Sequence, residues 1–509
     1  MTHPLADASA HEEKPRWVLA NRQLRPGVEL ADTSVFDDDR WDLAPAVLQH
    51  HWPTVTLYFD TVRPRFRHQA KELCMAILSG TLPPGERRLS VLTIRTAFKC
   101  VCQFLNWVDD LPDDRPRRPK PHKLAELNEG HLEDYNRHIA TMTAGQAGAR
   151  GAVQLLWRYR TAMSDPLLVN PRTIDGWSQR SRTTAENTTD RIPEPVLGPL
   201  LAWALRFVDD FAADILAADA SWRRYRSSVA NGRVGRNDGI GTDVERYLAT
   251  AIGRGEPLPG RNGELNLQFI STEVGCHYSS LHRYAPQLAE AADQLGIADH
   301  TWLPITITGR IDDRPWVDGI ALEHPSQSLS QLARLLQTSC YVVIAFLSGM
   351  RDSEMKHLQR GCVTELRSAD GEPYRWRIAG RAFKAQQDPS GTAATWVVGH
   401  PAARAARVLG RLHSADRPLL FSHLEHSNAV GPTKNSPNRA QTTKCTNKRF
   451  KELVSWINDY CATHGRPDDI PLVNASPGRC RPGSSVEHWH GSSPANQADR
   501  SRGLSSTGT

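Results

Sequence analysis

The chain has 509 residues, 39% of them hydrophobic, and 62 lysines and arginines against 56 aspartates and glutamates, for a formal charge of +6. That length predicts two to four domains with real apolar cores, and the mild basicity permits a nucleic-acid partner without demanding one. The nine cysteines are scattered with no CxxC pair, and Cys100 and Cys102 stand too close to pair as zinc ligands, which argues against a zinc module and for reduced cysteines in a cytoplasmic core. No apolar run reaches the roughly 18 residues of a membrane span, and the N-terminus lacks a signal-type apolar stretch, so no membrane partner is expected.

Residues 1–45 are polar and mixed in charge and are expected to form a flexible arm. Residues 46–165 read as a helical domain. Leu89, Leu92, Ala97, Val101, Phe104, Leu105 and Val108 recur at three- and four-residue steps, with Ser90 placed to cap their helix. The proline-rich run 113–121 breaks it. A second helix carries Leu132, Tyr135 and Ile139, and a third carries Val153, Leu155, Leu156 and Trp157. The cations around these helices include Arg87, Arg88, Arg95, Lys99 and Arg158. They form either a solvated face or the phosphate contacts of a DNA clamp.

Residues 166–324 read as a linker and helical extension of unassigned role. A Ser/Thr/Arg-rich linker over 170–190 precedes an amphipathic helix with Leu200, Leu201, Leu205, Val208, Phe211 and Ile215. The stretch 221–245 reads as a basic loop with Arg223, Arg224, Arg226, Arg233 and Arg236, either plain surface or a tracker of DNA backbone.

From residue 325 the signal strengthens. Leu329, Leu332, Leu336, Cys340, Val343 and Leu347 share one helical stripe, and Gly349 suits the left-handed residue that ends a helix. Asp352 or Ser353 is expected to cap the next helix, which turns Met355 and Leu358 inward, so Arg351 projects from a helix–helix junction. Residues 374–380 and 394–398 alternate as two strands around a turn at Asp388–Gly391, with Lys384 just before it. A helix follows with Ala402, Ala406, Leu409 and Leu412, then a strand at Pro418–Phe421.

The string Gly349-Met350-Arg351-Asp352-Ser353-Glu354 followed by Leu358 resembles the first arginine box of the tyrosine recombinases, the phage-integrase family, whose pattern is Gly-x-Arg-x-Ser-Glu-x-x-x-Leu. The resemblance is good over 325–475 and weak over 45–165. It implies a mainly α fold, with a helical SAM-like core-binding domain and an α+β integrase-type catalytic domain (325–475) containing a small antiparallel sheet. It further implies DNA integration and recombination through a 3′-phosphotyrosyl link, with duplex DNA as partner, a homo-oligomer on DNA, and no metal or other cofactor. Arg351 then binds the scissile phosphate, supported by Gly349 and Glu354, and Lys384 is the hairpin lysine that protonates the leaving oxygen. Bidentate arginine and charge stabilisation at the transition state supply the physical reason.

The pattern then stops. The second arginine box should follow Pro471-Leu472-Val473, with the nucleophilic tyrosine beyond it, yet no tyrosine follows Tyr460. The triplet His488-Trp489-His490 has no partner ligands for a metal. Read from the third base of each codon, the stretch from Gly483 to Pro494 permits Gln-Phe-Arg-Arg-Thr-Leu-Ala-Trp-Phe-Ile-Ala, which looks like a second box. Residues 476–509 are therefore expected to be a disordered, out-of-frame tail, and this copy to lack cleavage. The alternative is a non-catalytic DNA-binding accessory or regulatory protein.

Overall fold

The computed structural model describes residues 15–51, 54–113, 119–177, 192–230, 239–384, 386, 388–426 and 439–471. The chain divides into two compact units, residues 1–188 with 383–391, and residues 189–382 with 392–509. Helices with small antiparallel sheets build both.

In the first unit, strands β1 (Arg40–Asp42) and β2 (Thr56–Tyr58) pair antiparallel ahead of helices α1 (Arg67–Leu78), α2 (Val91–Asp109), α3 (Glu129–Ala140) and α4 (Gln146–Arg158). Ser90 caps α2 as its side chain predicts, Oγ accepting from the Thr93 amide at 3.1 Å. Ile94, Phe98, Val101, Leu105 and Val108 form the buried stripe of α2. Helix α4 packs against α2 so closely that a Cβ on Gly148 would sit 3.2 Å from Cys100 Sγ.

The expected arm over 1–45 is corrected here. From residue 15 the segment packs into the unit, with Val18, Leu19 and Trp41 fully buried. Arg22 fastens it by donating to the carbonyls of Leu78 (2.7 Å) and Leu89 (2.7 Å). Its apolar residues are too irregularly spaced to show a helix or strand period, but burial needs none. The unit also extends past residue 165, since Leu167, Ile174 and Trp177 are buried in the same core.

The second unit opens with α5 (Glu194–Arg206), which runs through a π turn at Phe207–Phe211 into α6 (Ala212–Ala230). Helices α7 (Ile240–Arg254), α8 (Leu267–Val274), α9 (Tyr278–Leu281) and α10 (Ala285–Leu295) follow, with the short hairpins β3 (Gly260–Arg261)/β4 (Glu264–Leu265) and β5 (Arg310–Ile311)/β6 (Arg314–Pro315). Then come α11 (Leu329–Ser348), α12 (Asp352–Met355), strands β7 (Val363–Arg367), β8 (Pro373–Ala382) and β9 (Thr392–Val398), and helices α13 (His400–Leu412) and α14 (Thr443–His464). The three long strands form one antiparallel sheet in chain order, with Ile378 opposite both Val363 and Trp396.

Three boundaries move. The segment 166–324 divides. Leu167, Ile174 and Trp177 pack in the first unit's core, and α5 and α6 bury Trp203, Phe207, Phe211 and Ile215 in the same core as α11. Helices α7, α8 and α10 enclose a smaller core of their own with Val244, Leu248, Ile270 and Leu288. Within the basic stretch 221–245, Arg223, Arg224 and Arg226 lie on α6 rather than in a loop, and residues 231–238, with Arg233 and Arg236, lie outside the described residues. Pro418–Phe421 makes a single bridge, Gln359 to Leu419, instead of a strand. The expected tail 476–509 and most of the linker 170–190 also lie outside the described residues.

Helix α11 is long and apolar enough to cross a membrane by composition, but 72% of its apolar window is buried inside the protein, as befits a core helix. At the end of α13, buried His413 donates from Nε2 to the Leu420 carbonyl at 2.8 Å, and burial pushes its pKa down to about 4. At the end of α14, Asp468 accepts from Arg206 (2.5 Å) and Arg466 (2.9 Å), and Ile470 exchanges two hydrogen bonds with Asn458.

Candidate phosphate-binding site

Helix α11 ends where its sequence says it should. Gly349 takes φ +66°, the left-handed conformation that costs a side chain strain, and its amide closes on the Ala345 carbonyl at 3.0 Å. Met350 then plunges into the core with no exposure, and the chain turns at Arg351 into the single turn of α12. Arg351 itself occupies the cap position, where Asp352 or Ser353 was expected. The Glu354 carboxylate reaches back to accept from the Arg351 amide at 2.7 Å and from its Nη1 at 3.0 Å.

The exposures of this pair decide what it can do. The Glu354 side chain is 3% exposed and that of Arg351 47%. The buried carboxylate therefore holds one edge of the guanidinium while the rest faces solvent. A half-exposed guanidinium fixed at its base is pre-organised for a phosphate oxygen, since little rotamer freedom remains to be lost on binding.

Beneath it lies a buried polar cluster that the sequence reading did not assemble. The Asp352 carboxylate accepts from Tyr341 Oη (2.8 Å), Lys356 Nζ (2.8 Å) and Thr443 Oγ1 (2.8 Å), tying α11, α12 and α14 together. Lys356 has no exposure at all. Burial alone would raise the Asp352 pKa, but the Lys356 ammonium and these hydrogen bonds outweigh it and hold the carboxyl below its usual range. The only local clue was the Asp352–Lys356 spacing of four residues; Tyr341 and Thr443 come from far along the chain.

Lys384 is exposed in the turn after β8, where the hairpin reading placed it. Gly349 ends α11 and Glu354 lies in the single turn of α12. The five cations of the first unit separate. Arg87, Arg95 and Lys99 are exposed. Arg88 instead donates to the carbonyls of Leu78 (2.8 Å) and Gly80 (3.1 Å), and Arg158 pairs with Glu86 at 2.6 Å. Among the described residues, those two spend donors within the protein, unlike Arg87 and Lys99.

A cleft of about 1050 Å³ also opens in the second unit, lined among others by Trp222, Tyr225, Arg226, His324 and His426. Its cations are largely committed to carboxylates, Arg223 to Asp219 and Glu425 and Arg261 to Glu323, so it makes a weaker anion site than Arg351. Among the described residues no group of three or more His, Cys, Asp or Glu could hold a metal ion. No family model matches the chain, and neither a curated protein nor a solved structure resembles it significantly.

Proposed function

We propose that this chain binds duplex DNA and grips a backbone phosphate with Arg351, as a protein of the tyrosine recombinase type. The observation that carries the reading is the Arg351–Glu354 pair at the Gly349 turn, a guanidinium half exposed on a buried carboxylate. In this reading the second unit descends from an integrase-type catalytic domain and the helices of the first unit form a SAM-like clamp. Copies assemble on DNA in the cytoplasm without a cofactor. Lys384 is the candidate general acid. Exposed Arg87, Arg95 and Lys99 supply sequence-independent phosphate contacts.

A second element of the reading rests on the sequence. No tyrosine follows Tyr460, and Tyr460, only partly buried, is stacked between Trp456 and His464, so the residues present supply a phosphate grip but no nucleophile. The chain is thus expected to bind DNA without cutting it. Incubation with nicked suicide substrates tests this directly. Salt-sensitive binding with no covalent protein–DNA adduct is the expected result, and an adduct overturns it. If specificity for a bound site survives Arg351→Ala, the accessory or regulatory alternative replaces the phosphate-grip reading.

A further inference from the structure

We infer that the outward face of the β7–β8–β9 sheet is a second DNA-contacting surface, built from Arg375 and Arg377 with Arg381 on the same face, separate from the Arg351 grip. The inference rests on the duplex-DNA reading above and adds to it the place where the backbone is tracked.

Strand β8 alternates cleanly. Ile378 is buried and Trp376 and Gly380 are half-buried on the core side, while Arg375, Arg377, Ala379 and Arg381 are all exposed on the other. The pairing register extends that outer face across the sheet. Thr364 and Leu366 of β7 stand opposite Arg377 and Arg375, and Val397, Thr395 and Ala393 of β9 stand opposite Arg377, Ala379 and Arg381. The face therefore contains three arginines, small or β-branched neighbours and one leucine, and no carboxylate.

Nearby cations show how unusual this is. Arg367 and Arg407 both pair with Glu365, and Arg404 pairs with Asp209. Arg375 and Arg377 have no carboxylate partner among the described residues. Arg375 and Arg377, two residues apart on one strand face without a carboxylate partner, repel one another unless a polyanion answers them. Ala379, Ala393 and Thr395 let that polyanion approach closely, and Val397 stands 55% exposed beside them.

Spacing favours a nucleic-acid backbone. The six steps of strand from Arg375 to Arg381 rise roughly 20 Å, which matches about six phosphate steps of one strand along a duplex axis. Arginine on a rigid strand presents its donors without the loop ordering that a flexible basic segment would require.

The test measures affinity of the full chain for a random-sequence duplex as a function of salt. In the Arg375→Gln/Arg377→Gln variant the slope of log K against log salt is expected to flatten by about 2, so the affinity lost between about 50 and 200 mM salt shrinks roughly tenfold. An unchanged slope overturns the sheet surface and leaves the duplex-binding reading intact. Failure of the unmodified chain to bind duplex at low salt overturns both. A photo-crosslinking residue placed at Ala379 provides a readout that removes no charge and stands if the double variant misfolds. Crosslinks to DNA support the proposal, and crosslinks only to a second copy of the chain, or none, refute it.

Discussion

Two arginine–glutamate pairs in this molecule look alike on paper and behave as opposites. Arg158 pairs with Glu86 at 2.6 Å, both partly covered, at 28% and 21% side-chain exposure. Arg351 pairs with Glu354 at 3.0 Å, at 47% and 3%. In the first pair the arginine joins α4 to the segment before α2, and its donors serve the protein. In the second the protein serves the arginine, because a buried acid fixes a guanidinium that remains open to solvent. Proximity of opposite charges does not separate the two roles. The distribution of burial does.

The comparison breaks most visibly at the cluster under Arg351. Lys356→Met leaves the Asp352 carboxylate buried without its ammonium, and denaturant unfolding should show a loss of about 3–5 kcal/mol. The double variant Asp352→Asn/Lys356→Met should recover part of that, since it removes the stranded charge. A full additive loss would show that the two residues act separately.

A smaller effect is expected from His413, which belongs wholly to the fold. Its folded pKa of about 4 lies below the unfolded value near 6.5, so the unfolded chain binds the proton first as pH falls. Its contribution is present above pH 6.5 and is lost as pH drops toward 4. Between pH 7 and pH 5 unfolding should become easier by about 2 kcal/mol, and His413→Gln should remove most of that dependence. A pH-independent midpoint would contradict the neutral, buried assignment.

The two pairs themselves give the finest distinction. Arg158→Ala should cost about 1 kcal/mol of stability and leave duplex affinity unchanged. Arg351→Ala leaves the buried Glu354 carboxylate with only the backbone amide, so it should cost about 1–3 kcal/mol of stability and also lower duplex affinity about tenfold. Thermal melts and binding isotherms on both variants decide the matter. Reversal of the pattern would exchange the roles assigned here.

What the sequence revealed was what depends on neighbours in the chain. Ser90 and the stripe behind it marked α2, Gly349 marked the end of α11, and the alternation of 374–380 and 394–398 marked the hairpin. Partners far apart in sequence stayed hidden. Nothing near Arg158 announced Glu86, 72 residues away, and nothing near Asp352 announced Thr443, 91 residues away. The same reason hid the packing of residues 15–45, where Trp41 finds Phe59 rather than a helical neighbour. Strand β7 was missed as well, although the exposed arginine ladder on β8 was already spelled out by alternate residues.

The fastening at the end of α14 bears on how a nucleophile could be supplied to the proposed phosphate grip. Asp468 is held by two arginines and Ile470 is tied to Asn458, so any segment joined after Pro471 leaves from a fixed point on the second unit. A tethered tyrosine-bearing peptide would then act at an effective concentration set by its linker, of millimolar order for a short flexible one that reaches, whereas the same peptide added free must be supplied at that level in solution. Comparing the two as a function of linker length would measure, without any new structure, how far Pro471 lies from the phosphate that the proposed function assigns to Arg351.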